Sequence, residues 1–211
     1  DRTGEVLLYD VFENIKRKII PYSEMSRNIK NAVVAIEDDE FYQHKGIKPL
    51  AFLRAILANL REGSFSQGGS TITQQVVKNS ILTSDKTPSR KIKEWVLSLK
   101  LEKILNKEEI LALYLNEVPY GGSMYGIEEA SKTFFGKKAN SLSLAEAAYL
   151  AAIPNAPTYY SPYGNHKDKL EERKNLVLAR MLSNNFIDET VYKAALDEVV
   201  TWKPQENKGI K

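Results

Sequence analysis

Apolar residues recur at helical spacing from Asn28 almost to the end of this 211-residue chain, in segments divided by capping residues, glycines and prolines. Asn28 to Tyr42 carries Ile29, Val33, Ile36 and Glu40 on one track, and Pro49 to Arg61 carries Leu50, Leu53, Ile56, Leu57 and Leu60 before Gly63. That spacing buries one stripe of a helix; it does not suit a sheet, whose faces alternate at every residue. Ser70 or Thr71 opens a further helix, with Thr71-x-x-Gln74 fitting a capping box, and Thr87-Pro88 opens one that runs to about Leu105. More helices are expected over 107–116, 126–134, 143–153, 167–184 and 188–200. A short strand or extended arm is expected over about 1–12, a loop over 78–87 and an ordered proline-rich loop over 154–164. The chain reads as mainly α, a single packed domain spanning 1–211.

Composition narrows the chemistry. Hydrophobic residues at 43% and charged residues at 27% match a folded domain, not a disordered tail. The absence of cysteine excludes disulfides, thiolate zinc sites and cysteine nucleophiles. Two histidines, His44 and His166, argue against an imidazole-based metal site. The longest uninterrupted apolar run, Ala147 to Ile153, falls far short of the ~20 residues of a membrane span. The chain begins at Asp1 instead of Met, which suggests a portion of a longer protein whose N-terminal anchor lies elsewhere. A net charge of +3 is too small to indicate nucleic-acid binding, but its distribution is uneven. Residues 78–107 hold eight Lys and Arg against three Asp and Glu, giving +5 there and −2 over the remainder.

Two carboxylates stand out in opposite environments. Glu37 opens the acidic run Glu37-Asp38-Asp39-Glu40, ordinarily a solvated face. On a continuous helix, however, Glu37 has Val33, Val34 and Phe41 as neighbours at i−4, i−3 and i+4. Partial desolvation of this kind is how a general acid or base is tuned. Glu94 instead follows Arg90 and Lys91 by one helical turn. Those cations sit where the helix dipole disfavours them, by roughly 0.3–1 kcal/mol each, and together with the helix start they suit an anion such as phosphate. Gly68-Gly69-Ser70-Thr71 feeds another helix start with N–H groups and hydroxyls, without the lysine of a P-loop. His44 reads as a hydrogen-bonding residue at a helix end. These features suggest acid/base chemistry on a phosphate-bearing substrate.

Five motifs then appear in order. They are Glu37-Asp38-x-x-Phe41-x-x-His44-x-Gly46, Gly68-x-Ser70-Thr71-Ile72-x-Gln74-Gln75 and Arg90-Lys91-x-x-Glu94, followed by Lys107-x-x-Ile110-Leu111-x-x-Tyr114-Leu115-Asn116 with Gly121 and Gly126, and Arg173-x-x-x-Val177-Leu178-x-x-Met181. In these the chain resembles the peptidoglycan glycosyltransferase (transglycosylase) domain of class A penicillin-binding proteins and their monofunctional relatives.

The resemblance implies a lysozyme-like, two-lobed domain with a smaller, apolar, membrane-facing lobe over about 47–87. It implies polymerisation of lipid II into β-1,4-linked glycan with inversion and release of undecaprenyl pyrophosphate. Glu37 matches the base that deprotonates the acceptor 4-hydroxyl, and Glu94 a second glutamate that positions the donor or assists the leaving group. Lys78, Arg90 and Lys91 match pyrophosphate-binding cations, and Ser70, Thr71, Gln74 and Gln75 match substrate contacts. Asn116, Tyr114 and Arg173 match scaffold residues. No cofactor or protein-held metal is required, although a divalent cation, Mg or Mn, could ride on the pyrophosphate beside Glu94. Expected partners are lipid II, the lipid-linked growing glycan, the membrane surface and other cell-wall synthesis proteins, with no nucleic acid. Moenomycin-type phosphoglycolipids are expected in the donor site. The expected location is the outer face of the bacterial cytoplasmic membrane. Neither Ser-x-x-Lys nor Lys-Thr-Gly occurs, so the transpeptidase module is not in this chain. A lysozyme-like glycan-cleaving enzyme is the competing catalytic reading, and a membrane- or glycan-binding module the non-catalytic one.

Overall fold

The computed structural model describes residues 16–49, 69–80 and 88–205. The helices are α1 (Arg27–Glu37), α2 (Ile72–Ser80), α3 (Pro88–Ile104), α4 (Lys107–Glu117), α5 (Ile127–Phe135), α6 (Leu144–Ala152), α7 (Lys167–Ser183) and α8 (Glu189–Asp197). The expected mainly α architecture holds. The extended arm at the N-terminus, most of the Pro49–Arg61 helix and most of the smaller lobe expected over 47–87 lie outside the described residues.

Side-chain caps set the helix starts. Asn106 with Glu109 and Ser143 with Glu146 form reciprocal capping boxes at α4 and α6, each exchange stabilising its helix by about 1 kcal/mol. Asp188 caps α8 and Ser26 caps α1 through their side chains. The Thr71–Gln74 box is present: Thr71 N–H donates to Gln74 Oε1 at 2.8 Å and Gln74 N–H to Thr71 Oγ1 at 3.1 Å.

Three differences from the sequence reading have physical causes. The first helix ends at Glu37, not Tyr42, because the Asp38 backbone turns out of the helix to φ −161° and ψ 75°. Residues 78–80 continue α2, since Lys78-Asn79-Ser80 holds no helix breaker. A small sheet also appears, formed by β1 (Lys16–Arg17), β2 (Pro119–Gly121) and β3 (Met124–Tyr125) in the order β1-β3-β2, with β1 parallel and β2 antiparallel to β3.

The core joins α1, α4, α6 and α7 through Ile29, Val33, Leu111, Leu115, Leu150 and Leu178, all nearly inaccessible. Asn116, at the end of α4, is buried, and its amide both accepts from Ile20 N–H at 3.1 Å and donates to Ile20 C=O at 2.9 Å. It thereby pairs both backbone groups of a segment that has no ladder partner there. Arg173 on α7 donates from Nε to Ala152 C=O at 3.1 Å, which satisfies a carbonyl at the end of α6. Along the C-terminal segment Trp202 packs against Phe134, Phe135 and Tyr149, and Lys203 N–H donates to Phe134 C=O at 2.7 Å.

Candidate active site

Glu37 is the last residue of α1 and is half-buried. Gln75 on α2 donates from Nε2 to Glu37 Oε2 at 2.7 Å, which fixes one carboxylate oxygen. Phe41 is not one turn further along a helix, as a continuous α1 would require. It is fully buried beyond the break, and Lys107 Nζ lies 4.5 Å from its ring centre.

Asp38 explains the break. Its buried carboxylate accepts from Ile72 N–H at 3.0 Å, the first residue of α2, and lies 2.9 Å from His44 Nε2. His44 Nδ1 accepts from Gly46 N–H at 3.0 Å, so the ring proton sits on Nε2 and is donated to Asp38. One residue thus ends α1, begins α2 and anchors the intervening turn. Lys48 Nζ gathers the remaining acids, at 3.5 Å from Asp38, 2.8 Å from Asp39 and 3.0 Å from Glu40. Its hydrogen bond holds the Asp39 carboxyl below the usual range. In the four-residue acidic run, Glu37 is set apart from the lysine.

The turn then meets α3. Gly46 has φ +92°, and a Cβ there would stand 2.9 Å from Ser98 C=O and 3.0 Å from Glu102 Cγ. Only glycine allows that approach. Thr71 Oγ1 donates to Gly46 C=O at 2.7 Å, Thr73 Oγ1 to Glu102 Oε1 at 2.6 Å, and Lys107 Nζ to the same oxygen at 2.7 Å.

Glu94 is buried on α3 and forms an ion pair with Lys91, whose Nζ also donates to Ser70 Oγ at 2.8 Å. Lys91 therefore joins α3 to the residue that leads into α2. Arg90 is half-buried in the same turn, and Lys78 is exposed in the last turn of α2, three residues after Gln75. The two carboxylates are accordingly tied to α2 from different sides, Glu37 through Gln75 and Glu94 through Lys91 and Ser70.

Two sequence expectations change. Thr71 and Gln74 are 1% and 2% exposed, and the hydrogen bonds that they exchange with each other and that Thr71 makes to Gly46 show that both help to build the start of α2. The N–H groups of Thr71, Ile72 and Gln74 are likewise taken, which removes most of the anion-binding capacity expected at that helix start. Among the described residues no three carboxylate or imidazole groups converge in a way that could hold a metal ion, and Glu94 is engaged by Lys91. The sequence reading assigned no role to Asp38, Lys48 or Glu102, and it took His44 as a hydrogen-bonding residue at a helix end, which its bond to Asp38 bears out. The Asp38-x5-His44 spacing inside the first motif was the available signal for the first two.

Behind Glu37 lies Tyr114, whose hydroxyl is pushed well above its usual range by burial and then by the Glu37 charge, with Tyr120 adding to the effect and Arg173 opposing it.

The family model described as Transglycosylase matches residues 5–182. The chain belongs to the transglycosylase family. It is a glycosyltransferase domain of the kind that serves peptidoglycan synthesis. Similar relatives include penicillin-binding protein 1A of Aquifex aeolicus, 44% identical over 95% of this chain and 27% of that protein. Penicillin-binding protein 1A of Haemophilus influenzae is 42% identical over 88% of this chain and 22% of its own length. Penicillin-binding protein 1A/1B of Bacillus subtilis is 43% identical over 85% and 20% respectively. The crystal structure of the Haemophilus influenzae protein superposes with a TM-score of 0.55 at 26% identity, covering 90% of this chain and 19% of that one. The transglycosylase chain thus spans about a quarter of the length of these curated relatives.

Proposed function

We propose that this transglycosylase domain polymerises lipid II, with Glu37 as the base. The observation that carries the reading is the half-buried Glu37 carboxylate, oriented by Gln75 and separated from the Lys48 clamp that holds its three acidic neighbours. Glu37 accepts the proton of the acceptor 4-hydroxyl while that oxygen attacks the donor anomeric carbon from the face opposite the leaving group. The C1–O bond to pyrophosphate breaks, its electron pair leaves on the pyrophosphate oxygen, and an α linkage becomes a β-1,4 bond.

The leaving charge is met by Lys91 with Arg90 and Lys78, the preorganised electrostatic stabilisation such a step requires. Glu94 acts as a positioning residue that aims Lys91 at Ser70. Ser70 and Gln75 complete the substrate-facing set. Undecaprenyl pyrophosphate is released.

The substrate's lipid places this chemistry at a membrane surface, and the outer face of α3 suits one. Ile92, Val96 and Leu99 follow one another at helical spacing and are 67%, 46% and 38% exposed, flanked by the exposed Lys93, Lys100 and Lys103. An apolar stripe edged with lysines is the pattern of an interfacial helix on anionic lipid. No helix among the described residues is long and apolar enough to cross a membrane.

Glu37→Gln tests the reading. Lipid II polymerisation is expected to fall by at least ~100-fold, the usual worth of a general base, with an unchanged circular dichroism spectrum. Retained turnover refutes the assignment, and shortened sacculi in place of polymer would indicate a glycan-cleaving enzyme.

A further inference from the structure

Glu102 lies on α3 more than two helical turns beyond Glu94, an arm of about 12 Å. Its side chain is 8% exposed. The Oε1 atom accepts two hydrogen bonds from two other helices, from Thr73 Oγ1 on α2 at 2.6 Å and from Lys107 Nζ on α4 at 2.7 Å. The Cγ atom stands 3.0 Å from where a Cβ on Gly46 would lie, so the stem of the side chain is seated against the turn that follows Glu37. One carboxylate therefore ties α2, α4 and the Gly46 turn to α3.

Both of its donors depart from local preference to reach it. Lys107 is the first residue of α4, where the helix dipole disfavours a cation and where Glu108 and Glu109 follow as the favoured type. A local rule broken in this way has a tertiary reason, and here Nζ meets Glu102 and lies 4.5 Å from the Phe41 ring centre. Thr73 is fully buried within α2. A threonine inside a helix can turn its hydroxyl back to a carbonyl of its own helix. The single hydrogen of this hydroxyl is given to another helix instead.

The place of Thr73 on α2 gives that bond its reach. Ser70, three residues earlier, meets Lys91, and Gln75, two residues later, holds Glu37. Fixing α2 on α3 at Thr73 thus fixes the two carboxylate sides relative to each other. A tilt of α3 by about 5° around Glu102 would carry Glu94 by about 1 Å at the end of the ~12 Å arm. Misplacement by about 1 Å far from the chemistry can cost ~100-fold in rate.

We propose that Glu102 is a positioning residue for the transglycosylase reaction. Through the hydrogen bond from Thr73 it sets the separation between the Glu37 carboxylate and the Lys91 ammonium. This rests on the polymerase reading and deepens it, adding a group that acts through α2 and not on the substrate.

The test uses the full chain. Thr73→Val removes the hydroxyl at nearly constant shape and leaves Lys107 on Glu102, whereas Thr73→Ser keeps the hydroxyl and loses a methyl group. Both are compared with the parent, with Glu102→Gln and with the Thr73→Val, Glu102→Gln double variant. Lipid II polymerisation is followed at steady state well below the unfolding midpoint, which circular dichroism measures for each protein. Thr73→Val should lower kcat about tenfold with KM within about threefold, the pattern of an alignment felt in the transition state. Thr73→Ser should recover most of that rate. Packing alone predicts the reverse, because serine fills the site less well than valine. The double variant should be no slower than Glu102→Gln, since both changes break one contact.

A kcat for Thr73→Val within about twofold of the parent overturns the proposal, whatever its midpoint, and so does a loss confined to KM. Thr73→Ser slower than Thr73→Val makes the site a packing site and overturns it as well. Losses that multiply in the double variant show that the two residues act separately, with the same consequence. A parent that makes no polymer refutes the polymerase reading and the positioning role together. An active parent with an unimpaired Thr73→Val refutes the positioning role alone.

Discussion

Gly46 sets how closely the Glu37 turn approaches α3, and Gly46→Ala measures that approach. The φ of +92° costs an alanine about 1–2 kcal/mol in the backbone alone. The new methyl would stand 2.9 Å from Ser98 C=O, and that carbonyl belongs to the interior of α3 and cannot rotate aside. Overpacking of this kind adds about 1–3 kcal/mol, for a total of ~2–5 kcal/mol. In a domain of this size, where each kcal/mol moves the midpoint by about 2–4 °C, thermal unfolding should fall by roughly 4–20 °C. Gly136→Ala is the matched control: φ is +71°, but a Cβ there meets no atom within 4 Å, so only the backbone cost of ~1 kcal/mol applies. Relief of the clash displaces α3, and with it Lys91 and Glu94, from the Glu37 side, so polymerisation should drop along with stability. Melting by circular dichroism and a lipid II assay on both proteins suffice. If Gly46→Ala melts no lower than Gly136→Ala, α3 does not pack on this turn as described.

Two further perturbations follow from buried charge. Lys91→Ala leaves Glu94 enclosed without its cation and should cost roughly 2–4 kcal/mol by urea unfolding, below the full figure for a buried pair because Lys91 is partly exposed. Adding Glu94→Gln should restore part of that loss, and strict additivity of the two changes would show that they do not interact. Glu128 is buried, and burial raises its pKa, yet the Ala139 N–H at 2.9 Å, Lys132 at 2.9 Å and Lys18 at 3.7 Å bring it below the ordinary value. A depressed carboxylate stabilises the fold fully above its unfolded pKa, about 4.3, and that contribution disappears as pH falls through its folded value. The midpoint gap between the parent and Glu128→Gln should be full at neutral pH and shrink in acid; a gap that stays constant down to about pH 3 would contradict the assignment.

The parts legible in the sequence are those governed by neighbours along the chain. Thr71 and Gln74 cap α2 through a three-residue spacing, and Lys91 pairs with Glu94 across one helical turn. The end of α1 was not legible in this way. Asp38 leaves the helix because its best donors are Ile72 N–H, 34 residues away, and His44, brought round by the turn. Helical periodicity continues through Glu40 and gives no warning of either. The sheet was missed because its strands are two or three residues long, too short for alternation to register, and one partner comes from Lys16–Arg17 far upstream. The motifs marked residues that the structure gathers about α2, Glu37 through Gln75 and Glu94 through Lys91 and Ser70. They did not mark which of these are exposed: Thr71 and Gln74 sit in the same motif as Ser70 and Gln75, and only packing separates the pairs.

The two sides of α2 are joined by different kinds of bond. Toward α1 it is pinned by Asp38 to Ile72, Thr71 to Gly46 and Gln75 to Glu37, with His44 bracing the first of these. Toward α3 the joints include Lys91 to Ser70, made by a long and partly exposed side chain. A structure loaded unevenly yields first at its less braced joint. Thermal breathing here should then leave the Glu37 carboxylate in register with Gln75 and vary the reach of the Lys91 ammonium, so that Glu37 behaves as the fixed jaw of a vice and Lys91 as the moving one.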